Sequence, residues 1–366
     1  MYLSRISLAN FRNIAAAELD PGHSVTILHG LNGQGKTNLL ESIHILGHAR
    51  PFRPAKTSEL ILHEEKQALI KGEVVSRKVR GEIVVQLEGA NRRVRIDGKT
   101  IQRSSELHGR LAVVLFSPDD TSMVKLGPET RRRYLDRVSY AAEISFLKDY
   151  HDYYRTLKQR NHLLKSGKTE TLDIWTEQLA EAGTRLIRQR RDFAARLNLK
   201  LCKQYQNIAG TSEKVALSYS PDSGETEETF ERLFKLLNDN IQTDLRYGTT
   251  GRGPHRDDLL FLIDGRQLKT FGSQGQQRSF VLALKMAELD ALQETFGEPP
   301  VLLLDDMSSE LDRQRSSNLL AFVRERGIQS FITTTEITAL PENILKESVC
   351  YRVEGGRLTY EGKATR

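Results

Sequence analysis

Cysteine is scarce in this chain of 366 residues, which contains only Cys202 and Cys350. The two residues lie far apart in the sequence and belong to no C-x-x-C pair. This pattern excludes a disulfide framework and a cysteine-based zinc site, and it is typical of a reducing compartment.

Long hydrophobic runs are also missing. No apolar stretch approaches the roughly 20 residues needed to cross a bilayer, and Met1–Ile6 lacks the charged-then-apolar pattern of a signal peptide. We therefore expect a cytoplasmic protein with no membrane partner.

The charge balance is moderately positive, because 54 Lys and Arg against 48 Asp and Glu give a net charge of +6. Such a balance favours an acidic partner, either nucleic acid or a membrane surface, without choosing between them. A chain of this length has room for two or three domains, or for one domain with a large insertion.

A glycine-rich loop is the most informative stretch of the sequence. It reads G-x-x-x-x-G-K-T and consists of Gly30, Leu31, Asn32, Gly33, Gln34, Gly35, Lys36 and Thr37. A short apolar run, Val25–Leu28, precedes it, and apolar residues at helical spacing follow it. Strand, loop and helix therefore come in the order of a phosphate-binding loop, in which backbone N–H groups and the helix N-terminus face the phosphates.

This loop predicts that the chain binds a nucleoside triphosphate together with Mg²⁺. Lys36 is expected to neutralise the β- and γ-phosphates, and the Thr37 hydroxyl to hold Mg²⁺. The alternative is a glycine-rich turn that carries an exposed lysine, and the flanking strand and helix argue against it.

Residues 1–29 predict two antiparallel strands and a turn at Pro21-Gly22 into the strand before the loop. Arg12 is close enough in sequence to be brought over the base or a phosphate of the nucleotide. A solvated strand residue is the alternative for Arg12, and the sequence does not choose between the two.

Further strands, expected at 69–75, 81–87 and 92–96, predict a sheet with a basic face. In the last of them, alternation places Val94 and Ile96 inward and leaves Arg93 and Arg95 outside. Such a face can follow a phosphate backbone, although charge on an exposed strand is more often only solvated.

Residues from about 128 to 208 have a helical pattern. One stripe consists of Leu147, Tyr150, Tyr154, Leu157, Asn161 and Leu164, and a second repeats every seven residues at Leu172, Leu179, Leu186 and Phe193. The two stripes predict a helical hairpin packed along an apolar seam. Its arginines, which form either a solvated face or a binding face, are Arg131, Arg132, Arg133, Arg188, Arg190 and Arg191. Another helix is expected at 229–245.

Two more elements complete the predicted nucleotide site. Ser273 and Gly275 stand just before a long apolar-faced helix, where a helix N-terminus offers an anion site. Val301–Leu304 is followed by Asp305 and Asp306, as in a central strand that brings carboxylates to a Mg²⁺ ion. Asp305 is expected to hold the metal, and Asp306 to orient or deprotonate the attacking water.

In order, these motifs resemble the ATP-binding-cassette (ABC) ATPase heads of the SMC and Rad50 class and, more narrowly, the bacterial RecF family. The matching stretches are Leu8–Asn13, Gly30–Thr37, Arg131–Asp136, Gly253–Asp258 and Leu304–Asp312. The resemblance implies an α/β fold: a P-loop ATPase head with a mixed or parallel central sheet, helices and an antiparallel sheet. It places the head at 1–120 and 250–366, with an inserted mostly α-helical arm domain at 121–249.

The resemblance also implies that Ser273 and Gly275 form a signature motif, which reaches the γ-phosphate of ATP held by a second subunit. The sequence departs from the general cassette pattern in several places. Gln274 replaces the first glycine of the signature, Asp306 stands where glutamate is usual, and Thr334 or Thr335 occupies the place of a switch histidine. No glutamine follows Phe116 at the metal-sensing position. These departures predict slow ATP hydrolysis, closer to a timer than to a motor.

By resemblance, the expected function is that of an ATP-dependent DNA-binding recombination mediator. ATP would join two copies into a clamp on double-stranded or gapped DNA or a single-strand/double-strand junction, and direct binding of single strands stays open. Partner mediators of the RecR and RecO type and loading of the RecA recombinase are implied, in DNA repair, replication restart and the SOS response.

Two other functions share part of the pattern. The nucleotide-binding ATPase subunit of a membrane transporter has the loop, the signature and the acidic strand, but the basic inserted arm and the missing switch histidine argue against it. A small-molecule or nucleotide kinase accounts for the loop but not for the helix start at Ser273.

Overall fold

The computed structural model describes residues 1–167, 169–210, 212–224, 229–306, 313–340 and 342–363. Most of the Leu304–Asp312 family motif, from residue 307 onward, lies outside these ranges. The chain divides into two compact units. Unit 1 comprises residues 1–121, 207–209 and 288–366, and unit 2 comprises residues 122–206 and 210–287. Residues 250–287, which the resemblance assigns to the ATPase head, lie in unit 2.

The strands, in chain order, are β1 (Tyr2–Phe11), β2 (Ile14–Leu19), β3 (Val25–His29), β4 (Gln67–Ser76), β5 (Val79–Glu88), β6 (Asn91–Ile96), β7 (Lys99–Thr100), β8 (Val113–Phe116), β9 (Val215–Ser220), β10 (Asp258–Ile263), β11 (Arg266–Gln267), β12 (Val301–Leu304), β13 (Ser330–Thr334), β14 (Val349–Glu354) and β15 (Arg357–Lys363).

The helices are α1 (Lys36–His48), α2 (Pro118–Lys125), α3 (Pro128–Ala142), α4 (Phe146–Ser166), α5 (Leu172–Ala209), α6 (Thr229–Asp239), α7 (Ile241–Tyr247), α8 (Leu268–Phe271), α9 (Gln274–Phe296), α10 (Arg313–Glu325) and α11 (Glu342–Leu345). The helix expected at 229–245 is therefore two helices, α6 and α7, with Asn240 between them.

Unit 1 contains two six-stranded sheets. One is antiparallel, in the order β2-β1-β4-β5-β6-β7, and the other follows the order β15-β14-β3-β13-β12-β8. In the second sheet β14, β3, β13, β12 and β8 are parallel and β15 is antiparallel to β14. This order places β13 between β3 and β12, so the three carboxyl ends meet at one edge of the sheet.

The core of unit 1 lies around α1, whose apolar residues share one cluster with both sheets. Two glycines allow the close approach. A Cβ on Gly47 of α1 would lie 2.6 Å from the Val113 side chain of β8, and a Cβ on Gly72 of β4 would lie 2.6 Å from the Leu46 side chain of α1. Packing on both sides explains why every residue from Leu39 to Leu46 is buried.

The antiparallel sheet of unit 1 confirms the predicted face of β6. Val94 and Ile96 are buried, and Arg93 and Arg95 are exposed. The turn after β6, Asp97-Gly98, has positive φ at both residues, which Asp and Gly tolerate in a tight hairpin turn. The basic outer face predicted from alternation is therefore present.

Unit 2 contains α3 to α7 and a three-stranded sheet in the order β11-β10-β9. The predicted seven-residue repeat in α5 is confirmed, because Leu172, Leu179, Leu186 and Phe193 are all buried. The stripe predicted in α4 is only partly right. Tyr153 and Arg160 of α4 are fully buried, whereas Tyr150 and Tyr154 are only partly buried.

The prediction that the arginines of this region form a solvated or a binding face is wrong for Arg190. Its guanidinium is fully buried and donates to both Asp136 carboxylate oxygens, at 2.7 and 2.8 Å, and to the Pro254 carbonyl at 2.7 Å. Arg131 is also mostly buried and forms a two-pronged pair with Asp258, at 2.9 Å for each bond. Ion pairing inside unit 2 thus explains why Arg190 and Arg131 are buried. Sequence spacing alone could not show these pairs. Arg188 is exposed.

Candidate functional site

The glycine-rich loop joins β3 to α1, as predicted. Gly30, Gly33 and Gly35 have φ of +146°, +78° and +112°, values that residues with a Cβ rarely adopt. Space is also lacking, because a Cβ on Gly30 would lie 2.4 Å from the Val353 carbonyl oxygen, and one on Gly35 would lie 2.8 Å from Asn13 Oδ1. The loop therefore needs these two glycines for both conformation and clearance.

The first turn of α1 is arranged for an anion. Its N-cap residue is Gly35, no side chain caps the helix, and no acidic residue lies in the first turn. Helix N-termini carry a partial positive charge and unpaired N–H groups, which are stabilised by phosphate or carboxylate. Since no side chain caps this end, its N–H groups remain suited to an external anion.

Lys36 is held against the loop itself. Its Nζ donates to the carbonyl oxygens of Gly30 at 2.6 Å and Leu31 at 2.8 Å. Burial lowers the pKa of Lys36 below its ordinary value, and the carboxylates of Asp306 and Asp305 offset part of this shift. An anionic phosphate at the loop favours the same charged ammonium.

The remaining loop residues contact the C-terminal hairpin or face solvent. The Gln34 carbonyl accepts from the Gly356 N–H at 2.9 Å, and Gln34 Oε1 accepts from the Gly355 N–H at 2.6 Å. Leu31, Asn32 and Gly33 are exposed. The turn between β14 and β15 thus fixes one side of the loop.

Thr37 and Asp305 meet across the sheet edge. Thr37 Oγ1 donates to Asp305 Oδ1 at 2.9 Å, and Thr333 Oγ1 donates to the same oxygen at 2.8 Å. Burial raises the pKa of Asp305 above its ordinary value, although the hydrogen bonds from Thr333 and Thr37 and the charge of Arg53 oppose this shift. The residues predicted to hold Mg²⁺ are therefore in direct contact.

Asp306 follows with an unusual backbone. Its φ is +50°, and its N–H donates to Thr333 Oγ1 at 2.8 Å. Thr333 therefore hydrogen-bonds with both acids, and no sequence motif indicated this residue. The neighbouring Thr334, one of the two threonines expected in place of a switch histidine, instead bonds with Glu336, its Oγ1 donating to the backbone carbonyl at 3.0 Å.

The chemistry of Thr37 and Asp305 fits Mg²⁺. Mg²⁺ prefers oxygen ligands and is held in nucleotide sites by one or two protein oxygens together with phosphate oxygens and water. A partly buried hydroxyl and a buried carboxylate, already 2.9 Å apart, match this requirement. A bound cation would also favour the ionised form of the buried Asp305 carboxyl.

Arg12 lies beside α1. Its Nε donates to Glu41 Oε2 at 2.9 Å, and its NH1 donates to the Glu59 carbonyl oxygen at 3.2 Å. The adjacent Asn13 donates through Nδ2 to the Gln34 carbonyl of the loop at 3.2 Å. Contact of Arg12 with a base or phosphate stays a prediction.

Known proteins that resemble this chain belong to the family predicted from the sequence motifs. The model of the RecF/RecN/SMC N-terminal domain family matches residues 2–354. The DNA replication and repair protein RecF of Trichlorobacter lovleyi is 57% identical over 367 residues, covering 100% of each chain. The protein of the same name from Geobacter metallireducens is 45% identical, over 98% of this chain and 100% of its own.

The chain belongs to the RecF family.

Solved structures of similar proteins agree with the fold. A structure described as the recombination mediator protein RecF-ATP in the RecFOR pathway is 35% identical, with a TM-score of 0.88 over 98% of this chain and 99% of its own. An Smc head domain from Pyrococcus furiosus is 14% identical, with a TM-score of 0.56 over 99% of this chain and 96% of its own, which shows the fold alone. The predicted fold class, an ABC-type ATPase head with a mostly helical insertion, is confirmed.

The predicted signature residues of the family, Ser273 and Gly275, lie in unit 2 at the start of α9. Ser273 is exposed, and its Oγ accepts from the Gln276 N–H at 3.2 Å while Gln276 Oε1 accepts from the Ser273 N–H at 2.6 Å. This reciprocal pair is a capping box, which fixes the helix start. The role of Ser273 and Gly275 toward the γ-phosphate stays a prediction.

Proposed function

We propose that this chain binds ATP with Mg²⁺ at Gly30–Thr37 and acts as an ATP-dependent DNA-binding recombination mediator. The observation that carries the proposal is the Thr37–Asp305 hydrogen bond of 2.9 Å beside the glycine loop, which brings the two predicted metal-binding oxygens together. Relatives named as DNA replication and repair proteins, and a RecF structure described with ATP, support it.

Within one copy, the chain's own residues bind and orient the nucleotide. Lys36 supplies a positive charge to the β- and γ-phosphates, and the α1 N-terminus supplies N–H groups. Mg²⁺, held by Thr37 and Asp305, would neutralise charge that develops on the phosphates. Asp306, held by Thr333 through its backbone N–H, orients the attacking water.

A second copy completes the site. Ser273 and Gly275 of that copy close over the γ-phosphate, so ATP joins the two into a homodimer that clamps DNA at gaps or at single-strand/double-strand junctions. Hydrolysis removes the bridging charge and releases the clamp. Because the Asp306 side chain is one methylene shorter than glutamate, turnover is slow, and the chain works as a switch rather than a motor.

The cellular role proposed is gap repair in the cytoplasm, with mediators of the RecR and RecO type and with RecA loading onto single-stranded DNA. This role extends to replication restart and the SOS response. A solved relative is described as a recombination mediator protein in the RecFOR pathway, which supports the assignment.

Sedimentation with and without ATP and gapped DNA tests this model. The wild-type chain is expected to dimerise with ATP, whereas Lys36→Met and Ser273→Arg are expected to stay monomeric. Ser104→Arg, which adds the same charge and bulk at another exposed serine, is the control and should dimerise like wild type. If Lys36→Met and Ser273→Arg both dimerise with ATP as the wild type does, the shared site is refuted.

A further inference from the structure

Glu41 is an unusual residue in unit 1, because its carboxylate is 0% exposed. It lies on α1, one helical turn after Thr37. A carboxylate removed from water is costly unless cations and hydrogen bonds compensate it. Two arginines do so: Arg12 Nε donates to Oε2 at 2.9 Å, and Arg53 donates to Oε1 at 3.2 Å and to Oε2 at 2.7 Å.

The two arginines come from separate loops. Arg12 stands in the turn between β1 and β2, and Arg53 stands in the segment after α1. A third contact fixes the second arginine, because Arg53 NH2 donates to Asn38 Oδ1 at 2.6 Å. We call these four residues, Arg12, Asn38, Glu41 and Arg53, the arginine bracket.

The arginine bracket has an excess of positive charge. One carboxylate meets two guanidinium groups, so the set carries a net charge of +1. The side chains of Arg12 and Arg53 are 20% and 37% exposed, whereas Glu41 is not exposed at all. Among the described residues, Arg12 NH2 and Arg53 NH1 donate no hydrogen bond. Guanidinium N–H groups of this kind suit phosphate oxygens.

The bracket is also continuous with the glycine loop and with the metal-binding acid. Asn38 Nδ2 donates to Asn13 Oδ1 at 2.8 Å, and Asn13 Nδ2 donates to the Gln34 carbonyl of the loop at 3.2 Å. On the other side, the charge of Arg53 lowers the pKa of Asp305 against the upward effect of burial. A displacement of Glu41 would therefore affect both the glycine loop and Asp305.

We infer that Glu41 is a positioning residue for ATP binding, which holds Arg12 and Arg53 so that their free N–H groups face the phosphates. The inference rests on the proposed binding of ATP at Gly30–Thr37. Glu41 itself does not touch the nucleotide. It acts through the arginines, whose planar forks would otherwise adopt many rotamers at an entropic cost to binding.

Titration of ATP with Mg²⁺ onto Glu41→Gln, Arg12→Gln and the double variant tests the inference. Glu41→Gln keeps the shape of the side chain but removes its charge. We expect Kd to rise about tenfold in each single variant, which is the effect of losing one charge-assisted hydrogen bond. In the double variant the increases should not multiply, because coupled residues are non-additive. Glu88→Gln, at an exposed end of β5, is the control and should bind like wild type.

A purely structural role for Glu41 predicts a different result. The Kd increase from Glu41→Gln would then be the same with and without Arg12, and that outcome overturns the inference, as does wild-type affinity in Glu41→Gln. If Glu41→Gln does not fold, as judged by its melting temperature, Arg12→Lys and Arg53→Lys replace it. Both keep charge but lose the fork, so weaker binding is expected, and wild-type affinity in both contradicts the inference.

Failure of the proposed ATP binding is distinguishable from failure of the role inferred for Glu41. If the wild-type chain binds no ATP, or if Lys36→Met binds as well as wild type, the proposed nucleotide site fails and this inference fails with it. If wild type binds and Lys36→Met does not, only the bracket variants decide the role of Glu41.

Discussion

At the scale of single residues, Thr333 joins the two acids of the candidate site. Its hydroxyl donates to Asp305 Oδ1 and accepts from the Asp306 N–H, both at 2.8 Å. It can do both because a hydroxyl is a donor and an acceptor. One side chain on β13 therefore orients the acid that would hold Mg²⁺ and fixes the backbone of the acid that would orient water.

Thr333→Val removes this hydroxyl at nearly constant volume. We expect unit 1 to lose about 1–3 kcal/mol of stability, because a buried carboxylate oxygen and a partly buried N–H each lose a partner. With one hydrogen bond fewer, the Asp305 pKa should rise further, and ATP hydrolysis should slow. Urea unfolding followed by circular dichroism measures the first effect, and steady-state phosphate release measures the second.

Thr26→Val provides the matched control. Thr26 is also a fully buried threonine, on β3, but in the part of the chain that the structure describes its Oγ1 has no hydrogen-bond partner. Replacing it by valine should therefore be neutral or stabilising. Equal losses of stability in Thr26→Val and Thr333→Val would show that the hydroxyl of Thr333 has no special role.

At the scale of elements, Arg190 ties α5 to α3 and to the segment before β10. It donates to Asp136 on α3 and to the Pro254 carbonyl, and its NH1 lies 3.4 Å from Asp257 Oδ2. Asp257 in turn accepts from Tyr219 of β9. A buried ion pair is weak evidence for net stability, but breaking one leaves an uncompensated charge.

Arg190→Met should therefore destabilise unit 2 by about 3–5 kcal/mol, because the mostly buried Asp136 and the fully buried Asp257 would lose their cation. Trp175, the single tryptophan of the chain, lies on α5, and its fluorescence reports unfolding of this unit. Arg188→Met, two residues earlier and exposed, should change stability by less than about 0.5 kcal/mol. Similar losses in the two variants would contradict a structural role for Arg190.

Elements whose evidence is local were predictable from sequence. The β3–loop–α1 order, the acids after β12 and the repeat of α5 rest on short-range patterns, and the structure contains all of them. The contributions of Thr333, Glu41 and Arg53 depend instead on strand order and on loops that meet in space. The same reason explains Arg190: its place on the helix surface is visible in sequence, but its partners Asp136 and Asp257 lie 54 and 67 residues away.

At the scale of the whole molecule, the net charge of +6 includes two kinds of arginine, one buried in ion pairs and the other exposed. Arg131, Arg160 and Arg190 are buried in ion pairs and cannot meet an external anion without unfolding. Arg93 and Arg95 are exposed on β6, and no ion pair to either occurs within the described ranges. An excess of unpaired charge on an exposed strand is the arrangement that can attract a nucleic-acid backbone.

Binding of gapped duplex DNA in the presence of ATP should therefore weaken steeply with salt, and Arg93→Gln with Arg95→Gln should flatten that dependence. Removing one arginine–phosphate interaction lowers the slope of log K against log salt by about 0.9, because fewer counterions are released. Fluorescence anisotropy from low to moderate salt measures the slope.

Arg5→Gln is the control, since Arg5 is exposed in the same sheet but paired with Glu18 at 2.6 Å, and its slope should match wild type. An unchanged slope in the Arg93/Arg95 double variant would show that the DNA-binding surface lies elsewhere on the molecule, because counterion release reports phosphate neutralisation wherever it occurs.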